Sequence, residues 1–439
     1  MSRATRRSHD RLILAIGLPA LGALAADPLV SLVDTAFVGR LSTTALAALG
    51  IDAAIFGLAF FAFNFLAYGV TPLVATARGA GDDEQAARII SNALAGAVGL
   101  GILVTVALQI VAEPALDLMG ASQTVGAEAL GYLRIRALAA PAVLIITLGH
   151  GAFRGHQDTR TPLYVTLGFN LVNLVLDPLL IFGAGWGLEG AAVATLIAQW
   201  VGAGWFLVLL RRRLGVRFGG VVVSELRGLL RVGRDVLIRT SALLVTFTMA
   251  TRVAATVGDP EVAAHQVGIQ ILFFLALSID GLAIAAQSLI ARFIGERRDR
   301  DAWDISIRLL ELGAFVGVAF LVVLVLSRSV IPGWFTNEPE VLDSIDSMWW
   351  VLAAMQPLAA LVYVWDGIVM GAAEFSYGAA AMVVSAIAAI GTLLLVVPLG
   401  WGLAGVWWGI GVLTIVRALT LGWWHFRPRG SLRVVAGSA

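Results

Sequence analysis

The sequence predicts an all-α integral membrane protein: about twelve transmembrane helices in two pseudo-symmetric six-helix bundles around a central cavity. Three observations predict it. Of the 439 residues, 59% are hydrophobic and only 13% charged, with a mean hydropathy of +0.89; a soluble protein carries about 25% charged residues, and a globule of this length could not cover its surface with so few. Apolar runs of membrane length recur along the whole chain, and at roughly 35 residues per span and loop the length accommodates about twelve. A basic connector falls at the midpoint of these runs, and sequence elements repeat across it.

The runs lie near 12–38, 45–77, 87–112, 130–153, 162–182 and 189–210, then 235–257, 262–291, 306–331, 347–371, 377–398 and 402–425. The first follows a basic stretch, Met1 to Arg11, but has full membrane length and no small-residue cleavage pattern, so it reads as a retained helix and not a signal peptide. Several runs exceed the roughly 20 residues a bilayer requires, which implies tilt or projecting ends. All 30 basic residues are arginine, and 23 of them fall in alternate connectors and the termini if the N-terminus is inside. The positive-inside rule then places both termini in the cytoplasm, as in a multi-pass protein of a bacterial-type plasma (inner) membrane.

The longest basic connector, 211–234, separates an N-terminal lobe, 1–210, from a C-terminal lobe, 235–426, followed by a tail, 427–439. Gly185-Trp186-Gly187-Leu188-Glu189-Gly190 recurs as Gly400-Trp401-Gly402-Leu403-Ala404-Gly405, offset by 215. Gly151 to Gly155 aligns with Gly367 to Gly371 at 216, and Ala45 to Ile51 with Ala263 to Ile269 at 218. Six spans separate equivalents, so the halves share one topology, the layout of an alternating-access carrier with its site between two bundles.

Several functions are excluded. A net charge of +1 offers no basic surface to nucleic acid. There is no cysteine for disulfides, zinc thiolates or iron–sulfur ligands. No P-loop, HExxH or GxSxG pattern occurs, which argues against an ATP-driven pump or a hydrolase.

Ionisable groups at bilayer depth cost about 2.5–3.5 kcal/mol each on insertion scales, so they mark candidate sites. Asp27 and Asp34 share a face of the first span, seven residues apart. Asn170, Asn173 and Asp177 form an i, i+3, i+7 stripe on the fifth. Two acids with amide oxygens beside them can carry a proton or a small cation, because burial and a neighbouring carboxylate both disfavour the charged form. Hydrogen-bonded helix packing is the plainer reading of any one of these residues; function is favoured for Asp34, Asn173 and Asp177 together. The second half holds Asp280, Asp366, Arg239 and Arg252. Arg252 occupies the position equivalent to Asp34 and reads most simply as the counter-ion of Asp280 or Asp366. His150 and His265 read as structural hydrogen-bonders. Phe56, Phe60, Phe61 and Phe63 crowd the second span, where some could face flat lipophilic cations.

These residues resemble the multidrug and toxic compound extrusion (MATE) transporters. Asp27 to Gly39 (DPLVSLVDTAFVG) is similar to their first-helix motif, Gly79 to Asp83 to a loop motif, and Arg154 to Pro162 (RGHQDTRTP) to the fourth-to-fifth connection. Asn173 to Pro178 and Gly185 to Gly190 match the fifth helix and the turn into the sixth. Ile238-Arg239-Thr240, Thr251-Arg252 and Asp280-Gly281 look like the DinF-like branch. The resemblance implies a monomeric antiporter, not an enzyme, that exports small organic, cationic substrates across the lipid bilayer in exchange for protons or sodium. It implies no cofactor and no resident metal. By position Asp34 matches the coupling acid, Asn173 and Asp177 its fifth-helix partners, and Asp366 a tenth-helix acid of the sodium-linked branch. That branch's seventh-helix glutamate is missing, which favours a proton over sodium at Asp34, Asn173 and Asp177. A lipid-linked precursor flippase of the same architecture is the alternative, with a larger, more cationic cavity; a polytopic membrane enzyme is the third reading, with His156 and Asp158 as its nearest cluster.

Overall fold

The computed structural model describes residues 3–61, 63, 65–217 and 223–427. Tail arginines Arg429 and Arg433, part of the 211–234 connector, and the Phe61 side chain therefore lie outside the described residues. Fourteen α-helices follow one another: α1 Arg3–Gly39, α2 Thr43–Phe61, α3 Phe65–Gly79, α4 Asp83–Leu118, α5 Gln123–Ala137, α6 Ala140–Gly155, α7 Arg160–Pro178, α8 Gly187–Arg213, α9 Val223–Val257, α10 Asp259–Gly295, α11 Asp299–Leu326, α12 Pro339–Gly371, α13 Phe375–Val396 and α14 Gly402–Phe426. Ten are each long and apolar enough to cross a membrane. The predicted fourth span is instead two helices, α5 and α6, bent by 50°, which together are long and apolar enough for one further span. The predicted second span is divided between α2 and α3.

The α5–α6 bend exposes carbonyls that hydrocarbon cannot satisfy, and neighbouring side chains satisfy them. Thr105 Oγ1 donates to the Ala137 carbonyl at 2.7 Å, Gln109 Nε2 to Arg134 at 2.8 Å, and Trp200 Nε1 to Leu138 at 3.3 Å. Sequence hydropathy did not reveal the break, because the joint itself, Ala137 to Ala140, is apolar. After α7 the backbone widens into a π-turn, Leu179–Gly183, beginning next to Pro178, which cannot donate into a regular helix.

The chain packs into two compact units, Leu18–Gly233 and Met1–Gly17 with Arg234–Ala439. In the first, α3, α4, α6 and α8 enclose a core built on Val70, Ile90, Leu148, Phe153 and Phe206. In the second, α10, α11, α12 and α14 surround Leu272, Met348, Trp349, Leu352 and Trp407. The first turns of α1 belong to this second unit: Arg308 Nε and Nη2 donate to the two Asp10 oxygens at 2.7 and 3.1 Å.

Close helix crossings reproduce the internal repeat. A Cβ at Gly151 would lie 3.0 Å from the Ala67 backbone, and at Gly155 2.9 Å from the Thr71 carbonyl. Their equivalents Gly367 and Gly371 press on Ala283 and Gln287, the residues 216 positions beyond Ala67 and Thr71. Gly101 seats against Pro141 and Gly317 against Pro357, again 216 apart. These small residues let backbones approach where lipid supplies no hydrophobic drive between helices, so packing contact must hold them. One contact is inverted: Gly149 receives Phe206, whereas Trp365 packs on Gly422.

Candidate functional site

Within the Leu18–Gly233 unit, a cavity of about 350 Å³ opens between α1, α2, α5, α6, α7 and α8. The α1 stripe supplies Asp27, Ser31, Asp34 and Thr35; the α7 stripe supplies Asn170 and Asn173. Helical spacing places both stripes, and Asn170, Asn173 and Asp177 are 8%, 5% and 1% exposed, so the whole α7 stripe is buried. Asn170 Nδ2 donates to Asp27 Oδ1 at 2.7 Å, which joins the two helices. Asn173 Nδ2 donates to Asp177 Oδ1 at 3.1 Å and to Thr195 Oγ1 of α8 at 3.3 Å. Asp34 and Asp177 interact electrostatically. Buried Asp34 Oδ1 and Asp177 Oδ2 have no hydrogen-bond donor among the described residues, which leaves each acid an acceptor to offer.

Sequence reasoning missed four members of this site. Asp52 on α2 is wholly buried, and neither of its carboxylate oxygens has a hydrogen-bond partner among the described residues. Arg136, within the predicted fourth span, lines the cavity from the last turn of α5. Its guanidinium interacts electrostatically with both Asp34 and Asp52, donates to Gln199 Oε1 at 2.9 Å, and stands 5.3 Å over the Phe56 ring. Tyr132, one turn earlier, and Gln199 complete the polar wall. A search for every acid within an apolar run would have found Asp52. Arg136 was hidden because the bend that carries it inward has no hydropathy signature.

A buried carboxylate without a cation is strongly disfavoured, and one guanidinium placed between two acids lowers that cost for both. The cavity therefore holds an excess of acids over bases among its lining residues, with Phe56, Phe169 and Tyr132 as apolar walls. Such a lining suits a group that is cationic and flat on one face.

The other predicted residues lie in the second unit. Asp366, on α12, accepts from Arg239 Nη2 at 2.7 Å and from Arg417 Nη2 of α14, so two arginines grip one acid. Arg417 takes the counter-ion place that the sequence suggested for Arg252; Arg252 is exposed on α9 and has no ion pair among the described residues. Asp280, half-buried on α10, interacts with Tyr363, as do Asp366, Arg239 and Arg417. His150 and His265 hydrogen-bond Thr166 and Thr251 at 3.1 and 3.2 Å, in structural positions.

Comparison with known proteins bears on what this arrangement serves. The MatE family model matches residues 19–179 and 237–395, once in each half. Protein DETOXIFICATION 44, chloroplastic, of Arabidopsis thaliana is 35% identical over 431 residues, 95% of this chain and 82% of the relative. DNA damage-inducible protein F of Escherichia coli (strain K12) is 29% identical, with 94% and 91% covered. A crystal structure of MATE in the bent conformation superposes with a TM-score of 0.91 at 22% identity, covering all of both chains. An outward-facing multidrug resistance MATE transporter gives 0.87 at 22% identity, with 99% of each covered. Two matches to one family model, in halves whose glycine crossings coincide, leave one conclusion: this chain belongs to the MATE family, and is a multi-pass membrane transporter and not an enzyme.

Proposed function

We propose that the protein is a secondary active antiporter that exports small organic cations or other xenobiotics in exchange for protons by alternating access. The observation that carries this reading is the meeting of Asp27 and Asp34 with Asn170 and Asn173 in one cavity with aromatic walls, Asn173 being hydrogen-bonded to Asp177 behind it. Asp34 takes up a proton in the outward state, its electrostatic tie to Asp177 and Arg136 weakens, and the cationic substrate leaves. Arg136 favours a proton over sodium as the coupling ion. A guanidinium already beside Asp34 and Asp52 raises the cost of adding a metal cation there. Sodium at Asp34, Asn173 and Asp177 is the competing assignment. A flippase for lipid-linked anions would call for a cationic cavity, and the acid excess here opposes it.

In this reading, residues 1–210 and 235–426 are the two lobes, 211–234 their connector and 427–439 a tail. The working form is a monomer in a bacterial-type plasma membrane with both termini cytoplasmic. The test is dye transport into sealed proteoliposomes under an imposed pH gradient, then a sodium gradient. Transport driven by the pH gradient and lost in Asp34→Asn supports the proposal. Transport driven only by sodium reassigns the ion, and full activity of the variant removes Asp34 from the mechanism.

A further inference from the structure

A second cavity in the Leu18–Gly233 unit is larger than the acid-lined one. About 580 Å³ lies at the opposite kind of site, lined by Arg78, Arg88, His156, Arg213 and Arg217 with Asp83 and Glu84. Its residues come from four places along the chain: the end of α3, the start of α4, the α6–α7 connection and the end of α8. All four are at the arginine-rich end of these helices, which the positive-inside rule assigns to the cytoplasm. The rule accounts for arginines at that end; it does not account for their convergence on one concavity.

Two of the four guanidiniums are compensated. Arg78 pairs with Asp83 at 3.3 Å and Arg88 with Glu84 at 3.1 Å, all four side chains being substantially exposed, so these are weak pairs that open readily. Arg213 and Arg217 have no ion pair among the described residues; Arg213 donates only to the Thr161 hydroxyl, at 3.1 Å. Burial pushes the His156 ring below its ordinary value and outweighs the opposing hydrogen bond of its Nδ1 to the Ala152 carbonyl, so it brings no charge at neutral pH. Among the described residues two guanidiniums of the cavity thus lack a direct ion pair, Arg213 reaching the Asp158 carboxylate only through the Thr161 hydroxyl.

The segment that carries them is fixed. Gly215 adopts φ +65°, and the Val216 N–H returns to the Leu210 carbonyl at 3.2 Å, which folds the chain back onto the end of α8. Val216 is 2% exposed and packs with Leu210 in the core. Ser91 then donates to the Arg217 carbonyl at 2.6 Å, tying the turn to α4. A capped, anchored turn thus holds Arg213 and Arg217 on the cavity wall, where arginines in a loose connector would be free to splay into solvent. Leu214 and Ala87 add an apolar edge beside the span ends.

We propose that this cavity binds a phosphate-bearing anion, the headgroup of an anionic phospholipid, on Arg213 and Arg217, with Arg78 and Arg88 available once their surface pairs open. Guanidinium forks match phosphate oxygens, and basic pockets between helix ends on the cytoplasmic side recognise such headgroups. The site is separate from the transport cavity and does not depend on its assignment.

The test uses purified full-length protein titrated with phosphatidylglycerol, phosphatidylcholine and inorganic phosphate, with retained ligand counted by native mass spectrometry. Phosphatidylglycerol should be retained over phosphatidylcholine. Arg213→Gln/Arg217→Gln should weaken that retention roughly 30-fold, about five-fold per arginine, the equivalent of about 1 kcal/mol each. Arg300→Gln, an exposed arginine on the α11 first turn, should change nothing. Displacement of the lipid by inorganic phosphate, with the same arginine dependence, supports the site with the free ion as occupant; failure of phosphate to displace it supports the lipid. Equal retention of the two lipids, or equal retention by wild type and the double variant, overturns the proposal. Should the double variant not fold, the exposed Arg217→Gln alone carries the test through its five-fold loss.

Discussion

At the scale of single residues, Arg136 and Asp52 matter most because each makes the other tolerable. The two interact electrostatically without a direct ion pair, so removing one should cost less than the about 3–5 kcal/mol of breaking a contact pair, and removing both less still. Arg136→Gln should therefore lower the thermal midpoint of the detergent-solubilised protein, and Asp52→Asn/Arg136→Gln should recover part of it. Additive losses in that double-mutant cycle would show that the two groups do not interact. Asp34→Asn is expected to fold normally and lose pH-driven transport, because Asp34 has an exposed share and its neighbours keep their own partners. The stripes on α1 and α7 were legible in the sequence, since an i, i+3, i+7 spacing needs no tertiary knowledge. Asp52 and Arg136 were not. One is a lone acid without a periodic companion, and the other owes its inward direction to a bend.

Elements add what spacing alone does not give. The α5–α6 break stands because three side chains from α4 and α8 hold its carbonyls, so Thr105→Val should cost about 1–2 kcal/mol, read as a lower unfolding midpoint. A loss no larger than that of Thr256→Val, an exposed threonine on α9, would mean that water reaches the Ala137 carbonyl. At the α12–α10 crossing, Gly367→Ala places a methyl against the Ala283 backbone and should destabilise by about 1–3 kcal/mol or force the helices apart. On the α10–α11 turn, burial alone would push the Glu296 carboxyl up, but hydrogen bonds from Arg292 and Arg298 outweigh it and hold it below its usual range. A depressed acid stabilises the fold above its ordinary pKa and loses that contribution as pH falls through the lowered value. Glu296→Gln should thus lower stability near pH 7 slightly and leave it unchanged in strong acid. Glu296 is half-buried, but the side chains of both arginines that hold it are exposed, so solvent screens the pairs and the effect is small. The order and approximate place of the spans were readable from hydropathy; their exact ends and the division of the second and fourth were not, because helices extend past the apolar runs into polar sequence and Ala137 to Ala140 keeps the fourth run apolar through its bend.

For the whole molecule, the number of acids in the cavity bears on the energy source. Exchange of one proton for one monovalent cation moves no net charge, so only the pH difference drives it, about 1.4 kcal/mol or ten-fold accumulation per unit. A second proton would add the membrane potential, about 2.3 kcal/mol per charge per 100 mV. Asp34 with Asp177 or Asp52 supplies groups for two. Proteoliposomes given a potassium diffusion potential at equal pH on both sides should accumulate dye if two protons exchange, and should not if one does.

Trp365 on Gly422 has a consequence for how such a protein diverges. Its counterpart contact, Phe206 on Gly149, fills the same gap from the opposite helix, so large and small have traded places between the halves. Position by position these look like two unrelated replacements; as a contact they are a single exchange. Neither half can revert in one step. Restoring the bulky ring first makes two rings collide, and removing it first opens a hole, so the route back crosses a destabilised intermediate in either order. A chimera that repeats one half twice avoids that barrier, since it inherits both members of a matched pair together.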